Sequence, residues 1–392
     1  MKKAVVVGGS NGIGLALAQN LSEKGYFVNI LDRVEPDSAV ELKNGFLFTK
    51  FNLLDFNEDV IRELSSDKEI EALFITAGFG RVANFEDIHP AEIQNLFQVN
   101  TVSSLKIINY FYNRIKNDKP FYCGIMGSVA GLMSSPMFSV YAASTAAVFR
   151  FTESVNIELE VFGTKNRILN VSPGTVKGTR FHGNSTDLES LKDLSEKITE
   201  ALFGGETLLI PEYDEVYKGV LERYNADPHE YGIHSYNYKL SSGKKIGGKG
   251  VKIGYLSGTF DLFHLGHLNL LRRAKEKCDY LIVGVHPNAS HKKKETFIPF
   301  EERKAIVGGC KYVDKVVDSC KEDSDAWDLH HYDLLFVGSD YKGTERFIRY
   351  EEYFKDKGVE IVYFDYTKGT SSTQIRANIM DKANKEAENQ NK

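Results

Sequence analysis

Over roughly the first 180 residues, short runs rich in β-branched side chains alternate with longer stretches whose apolar positions recur every three or four residues. The short runs fall at Ala4–Val7, Phe27–Leu31, Ala72–Ile75, Tyr122–Met126 and Ile168–Val171. Continuous apolar runs are buried on both faces, and strands separated by helices predict a doubly wound parallel sheet. Residues 181–235 are more polar and helical, and predict a cap beside the sheet's ligand edge. The alternation restarts at Val251, with strands predicted at Lys252–Leu256, Tyr280–Val285, Leu334–Val337 and Glu360–Phe364 and a helix at Leu268–Lys277. Between the two halves, residues 240–250 carry glycine, serine and lysine without any apolar period, the composition of a connector. The chain therefore reads as an α/β domain over 1–238, a linker over 239–250, a smaller α/β domain over 251–381 and a flexible tail over 382–392.

The length of 392 residues agrees, since a single core seldom grows beyond about 250–300 residues. A net charge of −5 gives no general attraction to nucleic acid or to an anionic membrane, so an anionic substrate must meet cations placed locally. The four cysteines, Cys123, Cys278, Cys310 and Cys320, are scattered, which predicts reduced thiols, no disulfide framework and no cysteine-paired metal. Met1-Lys2-Lys3 enters a strand too short for a signal segment, and no stretch approaches the roughly 20 apolar residues of a membrane span. The expectation is a cytoplasmic protein that neither binds nucleic acid nor inserts in a membrane.

The first strand runs into Gly8-Gly9-Ser10-Asn11-Gly12-Ile13-Gly14 and then a helix. Glycines at such a turn let backbone approach a pyrophosphate at the helix N-terminus, although a tight strand-to-helix turn would use them too. The second strand ends near Asp32, where a carboxylate can accept from the adenosine ribose hydroxyls. Asp32 repels a ribose phosphate and favours NAD(H), while adjacent Arg33 keeps NADP(H) open.

With Thr76-Ala77-Gly78, Asn100, Ser128, Tyr141 and Pro173-Gly174 following in order, residues 1–180 resemble the short-chain dehydrogenase/reductase family. The resemblance implies a nicotinamide-dependent oxidoreductase whose tyrosine, Tyr141, exchanges a proton with the substrate oxygen. It gives Ser128 a hydrogen bond to that oxygen and Asn100 a water-linked proton path. It assigns cofactor contacts to Gly8, Ser10, Asn11, Gly12, Ile13, Gly14, Asp32, Asn52, Ala77, Gly78, Pro173 and Gly174. One departure stands out: the family's lysine, four residues after the tyrosine, is Thr145. A lysine there holds the nicotinamide ribose and lowers the tyrosine's pKa. Its loss leaves a slower reductase, a substitute cation such as Arg150 or Lys177, or a binding domain without turnover. Lys177 and Arg180 also suit a substrate phosphate, or simple solvation.

The second half opens with a strand leading into Gly258-Thr259-Phe260-Asp261-Leu262-Phe263-His264-Leu265-Gly266-His267 and a helix. Two histidines three apart at a helix start can donate to an α-phosphate during in-line attack, aided by the helix N-terminus and a divalent ion. A metal pair is the rival, without accompanying cysteines or carboxylates at ligand spacing. With His291-Lys292-Lys293-Lys294, Pro299 to Lys304, Lys311-Tyr312-Val313-Asp314, Val337 to Asp340 and Lys368 to Thr373, residues 251–380 resemble the HxGH nucleotidyltransferases, and among them glycerol-3-phosphate cytidylyltransferase. Two Rossmann-like parallel-sheet folds are thus implied. The resemblance implies CTP with Mg²⁺, held by Gly258, Thr259, Phe260, His264, His267, Lys292, Lys294, Arg303, Ser371, Ser372 and Thr373, with His264 and His267 catalytic. Tyr366 and Lys311 replace family arginines, and Pro287-Asn288 replaces an expected acid, which bears on the acceptor.

The halves fit consecutive steps: a keto-sugar phosphate is reduced to an alditol phosphate, and CTP then gives a CDP-alditol and pyrophosphate. The small-molecule partners would be the sugar or alditol phosphate and CTP, and family analogy favours a homo-oligomer. Rival readings are a cytidylyltransferase with a silent first domain, an ADP-forming enzyme and a redox-sensing assembly module.

Overall fold

A computed structural model describes residues 1–37, 40–179, 186–241, 250–287, 296–365 and 374–377. The chain divides into two compact units, residues 1–250 and 251–392.

In the first unit, β1 (Lys3–Val7), α1 (Gly12–Glu23), β2 (Phe27–Asp32), β3 (Phe46–Lys50), α2 (Glu58–Ser66) and β4 (Ile70–Ile75) form one half of the sheet and its cover. The other half comprises α3 (Pro90–Phe97), α4 (Ser103–Ile115), β5 (Tyr122–Met126), α5 (Ser139–Phe162), β6 (Ile168–Val171), α6 (Leu188–Gly204) and β7 (Leu208–Leu209), followed by α7 (Lys218–Ala226) and α8 (Pro228–Ser241). Among the described residues the strands make a parallel sheet in the order β3-β2-β1-β4-β5-β6-β7. Ala4 to Val7 are all buried, which is why this strand shows no polar alternation. The chain reverses direction between β1 and β4, and their carboxyl ends open the crevice where such sheets bind ligands.

Three features depart from the sequence expectation. β3 and β7 are strands that the pattern did not mark, because β3 is mostly half-exposed and β7 is two residues long. The cap expected over 181–235 is only partly a cap. Ile198, Ala201 and Leu202 of α6 pack with Leu17 of α1 and with Phe74 of the sheet, and β7 extends the sheet. Finally, α8 runs through Ser241, past the position 239 at which the linker was expected to begin. Residues 242–249 and the tail expected at 382–392 lie outside the described residues.

The second unit comprises β8 (Ile253–Gly258), α9 (Leu265–Lys275), β9 (Tyr280–Val285), α10 (Phe300–Gly308), β10 (Lys315–Asp318), α11 (Asp323–His330), β11 (Leu334–Gly338), α12 (Glu345–Phe354) and β12 (Glu360–Phe364). Its parallel sheet runs β10-β9-β8-β11-β12 among the described residues. The side chains of β8 alternate between two cores: Leu256 packs with Leu271 and Val307, whereas Ile253 and Tyr255 pack with Tyr332, Phe347 and Tyr350. The direction switch between β8 and β11 sets the ligand crevice beside Gly258.

Candidate functional sites

In the first unit the turn after β1 fits a dinucleotide pyrophosphate. Gly8 has φ +83°, and a Cβ there would sit 2.6 Å from the Ala77 nitrogen. A Cβ on Gly14 would meet the Gly8 carbonyl oxygen at 2.1 Å, so helix and turn close only on glycine. α1 has no acidic residue in its first turn, which leaves its N-terminus favourable to an anion. The Asp32 carboxylate accepts from the Ser10 amide at 3.1 Å and the Arg33 amide at 2.7 Å, fixing it at the end of β2. The buried Ser10 hydroxyl has no partner among the described residues, and the Gly12 amide donates to the Thr186 hydroxyl at 3.0 Å. These residues suit the adenosine and pyrophosphate portions of NAD(P)H. Asn52 is exposed beyond β3, bridged to Asp55, and lies farther along the same edge.

Tyr141, on the first turn of α5, is hydrogen-bonded to Ser128 and stacked on Phe138 at 4.3 Å. Burial pushes its phenol above the ordinary tyrosine range, and the Ser128 hydrogen bond offsets part of that rise. Gly80 allows the ring its place, since a Cβ there would be 2.5 Å from it. The Ser128 hydroxyl donates to the Pro173 carbonyl at 3.4 Å, which brings Pro173-Gly174 to the same pair. Asn100 sits in a π-helical turn, Gln98–Val102, of the kind often found at functional sites. Its amide accepts from the Phe79 nitrogen at 3.0 Å and donates to the Phe79 carbonyl at 2.9 Å and to Ser144 at 3.0 Å. It therefore ties the strand β4 loop to the Tyr141 helix. Tyr217 was not anticipated: it packs so closely on Gly174 that a Cβ there would lie 1.5 Å from its hydroxyl.

Thr145 is buried and donates to the carbonyls of Tyr141 and Ala142, both at 3.1 Å. The Arg150 side chain is 74% exposed and paired with Glu153 at 2.6 Å, and Lys177 is exposed.

In the second unit, His264 caps α9. Its Nδ1 accepts from the Gly266 amide at 3.0 Å, and the His267 Nδ1 accepts from the His264 amide at 3.4 Å. The rings stack with centroids 4.0 Å apart. Burial holds the His264 imidazole below the ordinary histidine range, so it is neutral near pH 7. With both Nδ1 atoms accepting, the Nε2 of each ring is left as the donor. The loop before them is strained: Phe260 and Leu262 have φ +52° and +51°, at a cost of about 1–3 kcal/mol each. The buried Thr259 hydroxyl, without a partner among the described residues, is a donor suited to a phosphate.

Two residues hold this loop. Arg303 is fully buried, and its guanidinium donates to the carbonyls of Ile298 (2.9 Å), His286 (2.8 Å), Pro287 (2.8 Å) and Thr259. Expected at CTP, it is placed beneath the loop, and four of its five N–H donors are taken by backbone. Asp261 accepts from the amides of Phe297 (3.1 Å) and Ile298 (3.0 Å) and from Arg376. Burial pushes its carboxyl up, but those amides and the guanidinium outweigh it and hold the group below the usual carboxylate range. The spacing of Asp261 in the motif could have marked it; Arg376 carries no such signal. Lys292, Lys294, Ser371, Ser372 and Thr373 lie outside the described residues.

Residues 2–190 match the family described as short chain dehydrogenase, and residues 255–378 match the cytidylyltransferase-like family. The second unit is similar to glycerol-3-phosphate cytidylyltransferase of Bacillus subtilis, 36% identical over 126 residues, or 31% of this chain and 92% of the relative. The first is similar to the NADPH-dependent 1-acyldihydroxyacetone phosphate reductase of Saccharomyces cerevisiae, 27% identical over 207 residues, or 50% of this chain and 65% of the relative. A short-chain dehydrogenase structure from Streptomyces avermitilis has TM-score 0.49 and 19% identity, covering 60% of this chain and 99% of that one. No helix among the described residues is long and apolar enough to cross a membrane.

Proposed function

We propose, for a chain that belongs to the short chain dehydrogenase family in its first unit and to the cytidylyltransferase-like family in its second, a two-step synthesis of a CDP-alditol. The protein is an oxidoreductase fused to a cytidylyltransferase. In the first step a keto-sugar phosphate becomes an alditol phosphate. When bound, NAD(P)H supplies the hydride taken by the carbonyl carbon. Tyr141 delivers a proton to the carbonyl oxygen, Ser128 steadies that oxygen, and Asn100 keeps the helix bearing Tyr141 in place. The yeast relative, by its name a reductase of an acylated ketotriose phosphate, supports a phosphorylated ketone as substrate.

In the second step a phosphate oxygen of the alditol phosphate attacks the α-phosphorus of CTP. The bond to the oxygen bridging to the β-phosphate breaks and pyrophosphate leaves; a divalent ion, if bound, would supply neutralisation of the leaving pyrophosphate. His264 and His267 donate their Nε2 protons to the α-phosphate oxygens as charge builds there. Lys292, Lys294, Ser371, Ser372 and Thr373 serve the outer phosphates. The CDP-alditol would feed a surface polymer of the capsule or teichoic-acid type, made from cytoplasmic precursors.

The observation that carries this reading is the reciprocal capping of His264 and His267, which sets both imidazoles as Nε2 donors. The test incubates the full chain with CTP, Mg²⁺, NAD(P)H and a set of ketose phosphates and identifies the CDP product by mass. CDP-alditol from ketose phosphate is the expected result. An undiminished rate in the His264→Ala, His267→Ala double variant would overturn it. A second reading, a cytidylyltransferase with a silent first unit, is favoured by Thr145. It predicts CDP product from alditol phosphate but no NAD(P)H consumption with any ketose phosphate.

A further inference from the structure

We propose that Asp323, with Ser257, binds the hydroxyl groups of the acceptor alditol and sets which alditol phosphate the second unit uses. The proposal rests on the cytidylyl-transfer reading above and deepens it. Tyr255 and Ser257 share the face of β8 directed toward α11 and α12, and the face turns polar at the strand's carboxyl end, next to Gly258-Thr259. The Ser257 hydroxyl donates to the Asp323 carboxylate at 2.9 Å. Asp323 is only 7% exposed and is locked through its backbone. Its carbonyl accepts from the Tyr332 hydroxyl at 2.7 Å, and its amide donates to the Tyr350 hydroxyl at 2.9 Å.

A buried carboxylate is costly unless its lone pairs are satisfied. Among the described residues this one receives a single hydrogen bond, while Arg346 stands 3.9 Å away, beyond hydrogen-bond distance. The Tyr255 hydroxyl beside the carboxylate is fully buried, reaches over Gly284, where a Cβ would lie 2.3 Å from it, and is directed at the Ser319 side chain. The open lone pairs of Asp323 are used neither by the fold nor by the phosphate chemistry. Ser257, Ser319 and Arg346 are half-exposed around them, at the sheet edge that also carries the histidine loop. A fixed carboxylate with open lone pairs, flanked by hydroxyls, matches the donors of a polyol chain.

The test compares wild type, Asp323→Asn and Ser257→Ala as full chains, with CTP and with glycerol, pentitol and hexitol phosphates. Asp323→Asn keeps the shape and an acceptor for Ser257. It should raise the KM for the preferred alditol phosphate at least tenfold and narrow the preference among the three, with the KM for CTP within twofold and the melting temperature unchanged. Ser257→Ala should shift the same preference less. Unchanged acceptor KM and preference in both variants would overturn the proposal. So would a parallel rise in both KM values with a lowered melting temperature, the mark of a strut. If wild type forms no CDP product with any of the three, the transfer reading itself falls and takes this with it.

Discussion

The hydroxyl of Thr145 donates back to the carbonyl of Tyr141, 3.1 Å away and one helical turn earlier, and so is spent on its own helix rather than on the phenol. The phenol therefore keeps the high pKa that burial imposes. Reduction needs the protonated tyrosine, which is present below its pKa and lost as pH rises through it. Reduction by the wild type should therefore hold level past pH 9 and decline only above the ordinary tyrosine value of about 10. Thr145→Lys should move that decline to lower pH and raise the neutral-pH rate. Initial NAD(P)H consumption against pH checks both, and an unmoved profile in the lysine variant would contradict the assignment of Tyr141.

Tyr141→Phe should lower ketose-phosphate reduction by about 10²-fold or more. The variant should still make CDP-alditol from added alditol phosphate within twofold of wild type. Separate assays of the two half-reactions on one preparation give the answer.

The Asp32 carboxylate is fixed by the Ser10 and Arg33 amides, and in the proposed dinucleotide site it would repel a ribose phosphate. NADH should bind at least tenfold more tightly than NADPH, and Asp32→Ala should narrow that ratio from the NADH side. Fluorescence titration of each dinucleotide measures it without turnover.

Arg303 and Lys292 should fail in different ways. Arg303→Met strands four backbone carbonyls and should destabilise the second unit by about 3 kcal/mol or more, lowering its calorimetric transition. Lys292→Ala should raise the KM for CTP without moving that transition.

Short-range order was legible from the chain alone. Turn glycines such as Gly8 and Gly14, the His264/His267 pair and the Ser128, Tyr141 spacing lie within or next to single strand-to-helix units, whose geometry follows from neighbouring residues. The buried strands were legible for the same reason, since a continuous apolar run needs no partner to be recognised. β3, β7 and β10 escaped because they are short or half-exposed, and pairing with a neighbour, rather than composition, makes them strands. What the chain alone left undecided concerns contacts between distant segments. Ser257 meets Asp323 across 66 positions, Asp261 meets Arg376 across 115, and Arg303 gathers the carbonyls of Thr259, His286, Pro287 and Ile298 beneath the loop. Such pairings depend on how helices pack on the sheet and on which donors the buried backbone consumes first. Residue type and spacing name the groups able to do chemistry; tertiary packing decides which of them are left to do it.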